Sequence, residues 1–418
     1  MLVGAEMTQW GVGHGGFHTG EAVGSVGAHE SVVLRYIFDC GSTAPKQKLR
    51  PQLLRYLATL RSNAATNIDA LYISHFDYDH VNGLTQLSYL IQPDIRIDRV
   101  YAPFLTPAQK LALLVSKQSS ISRSYVDLVL DPQGTLAQLF EGAEIELVYP
   151  DEADGPPLDG AQPPPSDGIP TSGSVAKPRV VASRGTVSIS VPANAAQDSR
   201  KDTVLWELFP FVEPSVTTAA DQFWADARAD PKMPELSPGP EPTRSDIDLM
   251  LTKYRKQSRK LAIDLMGEDG SNASSIVLYS GPSAQKAGLW RLRGGSQYAP
   301  GRKWLWPRPL NRGGGAWLST GDARLEQAIS VERLQKRIGA ERAQRVSVIA
   351  APHHGSKNNS GTDLWDAFAF AQYVSIHATG SGHHPHGDVK REIRRQRRHS
   401  LLVNDFADDL TMSYFDCG

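Results

Sequence analysis

Cysteine is nearly absent: Cys40 and Cys417 are the only two in 418 residues. So thin a supply excludes a disulfide-stapled secreted scaffold, fits a reducing compartment, and reads most simply as two inert thiols. Long apolar runs are missing too. No stretch approaches the ~18 residues a membrane span needs. The N-terminal MLVGAEMTQWGVGHGGFHTG has neither the basic region nor the continuous apolar region of a secretory leader. A soluble, cytoplasmic protein is the expectation. Neither charge is in excess, with 44 Lys and Arg against 45 Asp and Glu. Bulk charge is therefore excluded as a means of holding nucleic acid, membrane or an acidic partner, and only a local patch remains. Histidine has its own gap: none of the 12 lies between His80 and His353.

What is present begins with alternation. SVVLRYIFDCG (31–41) reads as a strand ending in a glycine turn. KLRPQLLRYLATL (48–60) sets Leu49, Leu53, Leu54, Leu57 and Leu60 on one helical face, and IDALYIS (68–74) reads as a buried strand. The last third resumes this pattern in SSIVLYSG (274–281), GAWLSTGDA (315–323), a helix from about Arg324 to Gly339, VSVIAAPHHG (346–355) and AQYVSIHA (371–378). An α/β layered fold follows. Between residues 150 and 242 the texture changes, because more than half of the 28 prolines fall there. The expected organisation is an N-terminal half over 1–150, a partly disordered proline-rich insertion over 151–245, and a C-terminal half over 246–418. Within the insertion DTVLWELFPFV (202–212) is apolar enough to return to the core as a strand, and Ser245 looks like the cap of a core-packing helix.

The chemistry-bearing residues cluster at strand ends, where layered α/β folds collect functional groups. YISHFDYDHVNG (72–83) places His75, Asp77, Asp79 and His80 within six positions of a tight turn. Imidazole nitrogens and carboxylate oxygens ligate divalent metals, and four such groups so close cannot all reach one ion. With His75 and Asp77 facing one ion and Asp79 and His80 another, a two-metal site is the natural reading. LSTGDA adds Asp322. APHHGS adds His353 and His354, which point in different directions and so contribute at most one ligand to the same ion. GSGHHPHGD (380–388) holds His383, His384 and His386.

Taken together, HFDYDH, STGDA, PHHGS and HHPHGDV resemble, in order, the motifs of the metallo-β-lactamase fold, and within it the hydrolase domain of competence-type DNA-uptake channel proteins. WGVGHGGFHTG followed by YIFDCGS is similar to that family's opening, with His14 where a glutamine is expected. The resemblance covers residues 8–150 and 262–395 and implies an αββα sandwich, two mixed sheets flanked by helices. It implies that His75 and Asp77 bind a first metal, that Asp79 and His80 bind a second, and that Asp322 bridges them. Either His353 or His354 completes the second site, and Asn272 is a weaker candidate on the first-metal side. His384 would lie over the substrate as ligand, general acid or phosphate contact. The missing mid-chain histidine makes the first site poor in nitrogen, a donor set that tolerates Mn²⁺ as well as Zn²⁺. Two such ions activate water for hydrolysis, with Asp79 as proton acceptor and His384 as donor to the leaving group.

The subfamily resemblance implies a phosphodiesterase acting on DNA or RNA. DVKREIRRQRRHS (388–400) adds a basic helical face of Lys390, Arg391, Arg394, Arg395, Arg397 and Arg398 that would grip phosphates. That run contains no aromatic residue on which single-stranded bases could stack. Two other readings stand beside it. The fold equally hosts hydrolysis of a lactone, thioester or small phosphate ester. The insertion and the Trp-, Arg- and Gly-rich stretch 290–315 would also suit a partner-regulated component of a multi-protein system. The family's channel proteins carry membrane helices and this chain shows none, so transport is not implied.

Overall fold

The computed structural model describes residues 2–26, 30–117, 122–150, 177–191, 203–213, 217–266, 274–283, 288–294, 296–297, 311–312, 314–377, 384–404 and 409–416. Its strands in chain order are β1 (Leu2–Gln9), β2 (His18–Val26), β3 (Glu30–Phe38), β4 (Asn67–Ile68), β5 (Ala70–Tyr72), β6 (Arg96–Ile97), β7 (Arg99–Pro103), β8 (Glu144–Val148), β9 (Arg179–Ser183) and β10 (Thr186–Val191). There follow β11 (Thr203–Val212), β12 (Ile276–Pro282), β13 (Gly288–Gly294), β14 (Ser296–Gln297), β15 (Asn311–Arg312), β16 (Ala316–Ser319), β17 (Val346–Ala350), β18 (Tyr373–His377), β19 (His399–Val403) and β20 (Leu410–Asp416).

Eighteen of these strands make two nine-stranded sheets, ordered β15-β13-β20-β1-β2-β3-β5-β7-β8 and β14-β19-β18-β17-β16-β12-β11-β10-β9. Both are mixed. In the first, β1, β2 and β3 form an antiparallel meander and β3, β5, β7 and β8 run parallel. In the second, β16 to β19 run parallel and β9 to β12 antiparallel. The inner faces meet in one apolar layer, in which Met7, Leu34, Tyr36 and Met412 of the first sheet pack with Trp206, Leu278, Trp317 and Val348 of the second. Helices cover both outer faces. Those at Arg50–Ser62, Leu84–Ile91 and Pro107–Ser116 bury leucines on the first sheet, and Ala328–Ile338 buries Val331, Leu334 and Ile338 on the second. This is the expected αββα order of layers.

Several local expectations shift. Leu54 is 42% exposed, so the stripe on Arg50–Ser62 narrows to Leu53, Leu57 and Leu60, with Leu49 buried just before it. The helix expected from Arg324 begins at Ala328. The cap expected at Ser245 is Thr243, whose side chain accepts from the Asp246 amide while Asp246 bonds back to the Thr243 amide. Ser245 lies inside the helix Arg244–Leu251. The proline-rich stretch supplies β9, β10 and β11, which form one edge of the second sheet, and a helix at Thr217–Ala229 that packs into the first sheet's outer core. Residues 179–183, 186–191 and 203–212 of this stretch thus pair within the second sheet. TVSISV is buried along its whole length, and the near-continuous apolar run TVLWELFPFV is buried from Leu205 onward, despite the prolines around them. Residues 151–176 and 192–202 lie outside the described residues, as do Asn272, His383, Cys417 and 298–310.

Candidate metal centre

Asp39 organises the site from the end of β3. Its backbone is left-handed (φ 61°), a conformation that Asp tolerates better than most residues. The side chain is buried, with Oδ1 accepting from the Ser74 amide (2.7 Å) and Oδ2 accepting from the Ser74 hydroxyl (2.7 Å) and from His80 Nδ1 (2.8 Å). Because Ser74 gives its one hydroxyl proton to Asp39, its 2.8 Å contact with His75 Nδ1 makes His75 the donor. The carboxylate therefore holds His80 by Nδ1 directly and His75 by Nδ1 through the Ser74 hydroxyl, and both Nε2 atoms face Asp322. Those Nε2 atoms are buried and unpartnered by hydrogen bonds.

They face Asp322, which follows β16 through a turn in which Gly321 (φ 51°) packs a backbone atom where a side chain would strike Ser74. Asp322 Oδ2 lies 3.5 Å from His75 Nε2 and 3.7 Å from His353 Nε2, and Oδ1 lies 3.5 Å from His80 Nε2. His353 is held in the same manner as the others. Asn359 donates Nδ2 to the Asp322 carbonyl (2.9 Å), which leaves its Oδ1 to accept from His353 Nδ1 (3.2 Å). His354 turns the other way, with Nε2 3.7 Å from Asp79 Oδ2. Both histidines have positive φ (45° and 55°), so the backbone after β17 fans consecutive side chains to opposite sides of Asp322.

Among the described residues, two sets of three have donor atoms within 4.8 Å of one another: His75, His80 and Asp322, and Asp79, His80 and His354. Buried Nε2 atoms without hydrogen-bond partners, converging on carboxylates, fit a divalent cation. The electrostatics agree. Burial opposes charge on His80, yet Asp39 and Asp322 push its pKa up to about 10, so the pocket favours a cation on that nitrogen. Burial would raise the Asp322 carboxyl, but His353, His80 and His75 hold it well below the usual carboxylate range. Asp79 is likewise held low, with burial outweighed by the His354 hydrogen bond and by His80.

Of the residues singled out in sequence, the structure brings together His75, Asp79, His80, Asp322, His353 and His354. Asp77 is placed elsewhere: it precedes the turn Tyr78–Val81, and its Oδ1 accepts from Lys117 Nζ at 2.5 Å. His75 is grouped with His80 and Asp322 instead of with Asp77. His384 sits at the mouth, its ring 5.2 Å from that of His353 and 6.1 Å from that of His14. Burial first, then neighbouring His353 and His354, lowers its pKa to about 3. The basic face is smaller than its sequence promised. On the helix Gly387–Arg395, Arg391 pairs with Asp388 and Arg395 with Glu392, while Arg398 is buried and donates to the Trp365 carbonyl. Arg394 and Arg397 are exposed.

Sequence reasoning missed the parts played by Asp39, Ser74, Asn359 and Lys117. YIFDCGS reads in sequence as a strand end and as part of a family-like opening, and the signal that Asp39 orients the site is a tertiary one, since Asp39 lies 35 residues before Ser74 and 41 before His80. No helix among the described residues is long and apolar enough to cross a membrane.

Comparison with curated proteins gives no significant match. Among solved structures, a long-form RNase Z from yeast aligns with a TM-score of 0.35 and 10% identity, over 97% of this chain. The chain spans about two fifths (41%) of that structure's length. Residues 30–162 match the model of the Metallo-beta-lactamase superfamily, a stretch that contains Asp39, His75, Asp77, Asp79 and His80.

Proposed function

We propose that this chain is a metal-dependent hydrolase that cleaves phosphodiesters, with DNA or RNA as its substrate class. The observation that carries the reading is Asp322, whose Oδ2 faces Nε2 of His75 and of His353 while its Oδ1 faces Nε2 of His80. His75, His353 and Asp322 Oδ2 would hold one divalent ion; His80, His354, Asp79 and Asp322 Oδ1 would hold the other. Such ions supply Lewis acidity and lower the pKa of water towards neutrality. Asp79 serves as a ligand carboxylate, since a group held so far below its ordinary pKa is a weak proton acceptor.

With His353 on the first side, that site has two imidazoles where a count along the chain allowed one, so the argument for Mn²⁺ weakens and Zn²⁺ suits both positions. Asp77, neutralised by Lys117, is outside both sets. The phosphodiester preference draws on the motif resemblance to the competence-type hydrolases and on exposed Arg394 and Arg397. A small ester or phosphate monoester is the second reading, favoured by the internal pairing of Arg391 and Arg395, which leaves less positive charge for a polyanion.

The test is metal content together with cleavage of plasmid, single-stranded DNA and RNA by the zinc- or manganese-loaded protein. Wild type is expected to bind about two ions per chain by the ligand count, Asp77→Ala to keep them, and Asp322→Ala to lose them with activity. Wild type without metal would overturn the hydrolase; metal with turnover of small esters alone would move the reading to the second.

A further inference from the structure

We infer that His14 is a substrate-contacting residue, an imidazole held at the mouth of the metal centre to donate a hydrogen bond to a phosphate oxygen. The phosphate rests on the hydrolase reading; the placement of the ring does not.

From Met7 to Gly20 every residue is buried except His14. The loop between β1 and β2 that carries it is docked by its backbone. The Thr43 amide donates to the His14 carbonyl (2.9 Å), the Gly41 amide to the Gly16 carbonyl (2.9 Å), and the Ser42 hydroxyl to the Val12 carbonyl (2.7 Å). The two residues after His14 have no room for a side chain. A Cβ on Gly15 (φ 123°) would strike the Asp79 carbonyl, and one on Gly16 would lie 2.6 Å from Asp39 Cβ. A segment packed so closely against Asp39 and the turn of Asp79 leaves one side chain reaching outward, and a ring on so fixed a backbone has little freedom to lose when it meets a ligand.

The ring stands on the His354 side of the centre. Its centroid is 4.6 Å from that of His354, edge to face, and 6.1 Å from that of His384. His14 belongs to neither set of convergent metal donors. Nor does it do for His354 what Asp39, Ser74 and Asn359 do for His80, His75 and His353, each held through Nδ1. His354 Nδ1 is buried without a hydrogen-bond partner, so His14 does not orient that ring through it. The part left to a half-buried imidazole between His354 and His384 is contact with what the centre binds. An imidazole carries an N–H in either tautomer and when protonated, so the contact depends on where the ring stands and on no particular charge. Phosphate oxygens accept such bonds strongly.

The experiment measures metal content, binding of inorganic phosphate by calorimetry and cleavage of a diester on full-length wild type, His14→Leu and His14→Gln. Leucine keeps apolar bulk and loses the N–H; glutamine keeps an N–H. His14→Leu is expected to hold as much metal as wild type, to bind phosphate ~10- to 100-fold more weakly and to lower kcat/KM by a similar factor. His14→Gln should recover most of both. Loss of metal from His14→Leu would overturn the inference, because the ring would then be an orienting partner of His354. Phosphate affinity equal to that of wild type would overturn it too, as would a wild type that binds no phosphate. Should phosphate binding follow the expected order with no diester cleaved, the phosphodiester reading fails and the contact stands. Should His14→Leu bind and cleave as wild type does, the contact fails and the hydrolase stands.

Discussion

Asp39 accepts three hydrogen bonds from one loop while its own backbone holds a left-handed conformation. Such a conformation costs ~1–3 kcal/mol and persists where its surroundings over-determine it. Here the return is two histidines aimed at one carboxylate. Asp39→Ala frees the His80 ring and leaves Ser74 to turn its hydroxyl elsewhere. Metal affinity is expected to fall ~10- to 100-fold in competition titrations against a chromogenic chelator. The histidines and Asp322 were legible from strand-end spacing. Asp39 was not, because carboxylates that orient ligands obey no local spacing, and the pairing of Asp77 with Lys117, which follows the helix Pro107–Ser116, is likewise invisible to local spacing.

At the scale of elements, the turn after β17 decides which histidine serves which side. His353, His354 and Gly355 all have positive φ, and a Cβ on Gly355 would lie 2.8 Å from Pro385 Cβ. Gly355→Ala should therefore cost ~1–3 kcal/mol in denaturant unfolding and displace the His384 turn, lowering kcat more than metal content. Sequence showed that adjacent histidines diverge; it left open which diverges where.

The helix Arg244–Leu251 gives a second case. Asp246 accepts from the amides and hydroxyls of both Ser237 and Thr243. Burial opposes its ionisation, but those bonds hold the carboxyl below its ordinary value. With the folded pKa depressed, the stabilisation is complete above the unfolded value of about 3.9 and is lost as pH falls through the folded one. Wild type should consequently lose more stability below about pH 4 than Asp246→Asn, measured as Tm against pH. The expected Ser245 cap erred by two residues because Ser, Thr and Asp all qualify there, and only the bonds to Ser237 select among them.

Across the whole molecule, the first and last described strands lie side by side. β20 pairs with both β1 and β13, so the last described strand is interior to the first sheet. Asp409, just before it, accepts from the Gly11 amide, from Gln52 and from Arg55, tying the C-terminal strand to the N-terminal turn and to the helix Arg50–Ser62. Asp409→Ala should lower unfolding free energy by ~1–3 kcal/mol in urea titrations, with metal content unchanged at saturating zinc.

The sequence by itself determined the alternation of strands and helices, the layered class, and the residues able to hold metal. Those properties are local: apolar period sets the element, and imidazole and carboxylate chemistry is written in the side chain. It also marked the texture of residues 150–242, but not that β9, β10 and β11 complete a sheet there, since a strand's partner lies wherever unpaired backbone and an apolar face await it. Only the tertiary structure decided that Asp322 faces two sets of imidazoles, that Asp77 meets Lys117, and that Asp388, Glu392 and the Trp365 carbonyl occupy half of the basic face. Each is a question of direction and distance between segments, which spacing along the chain does not encode.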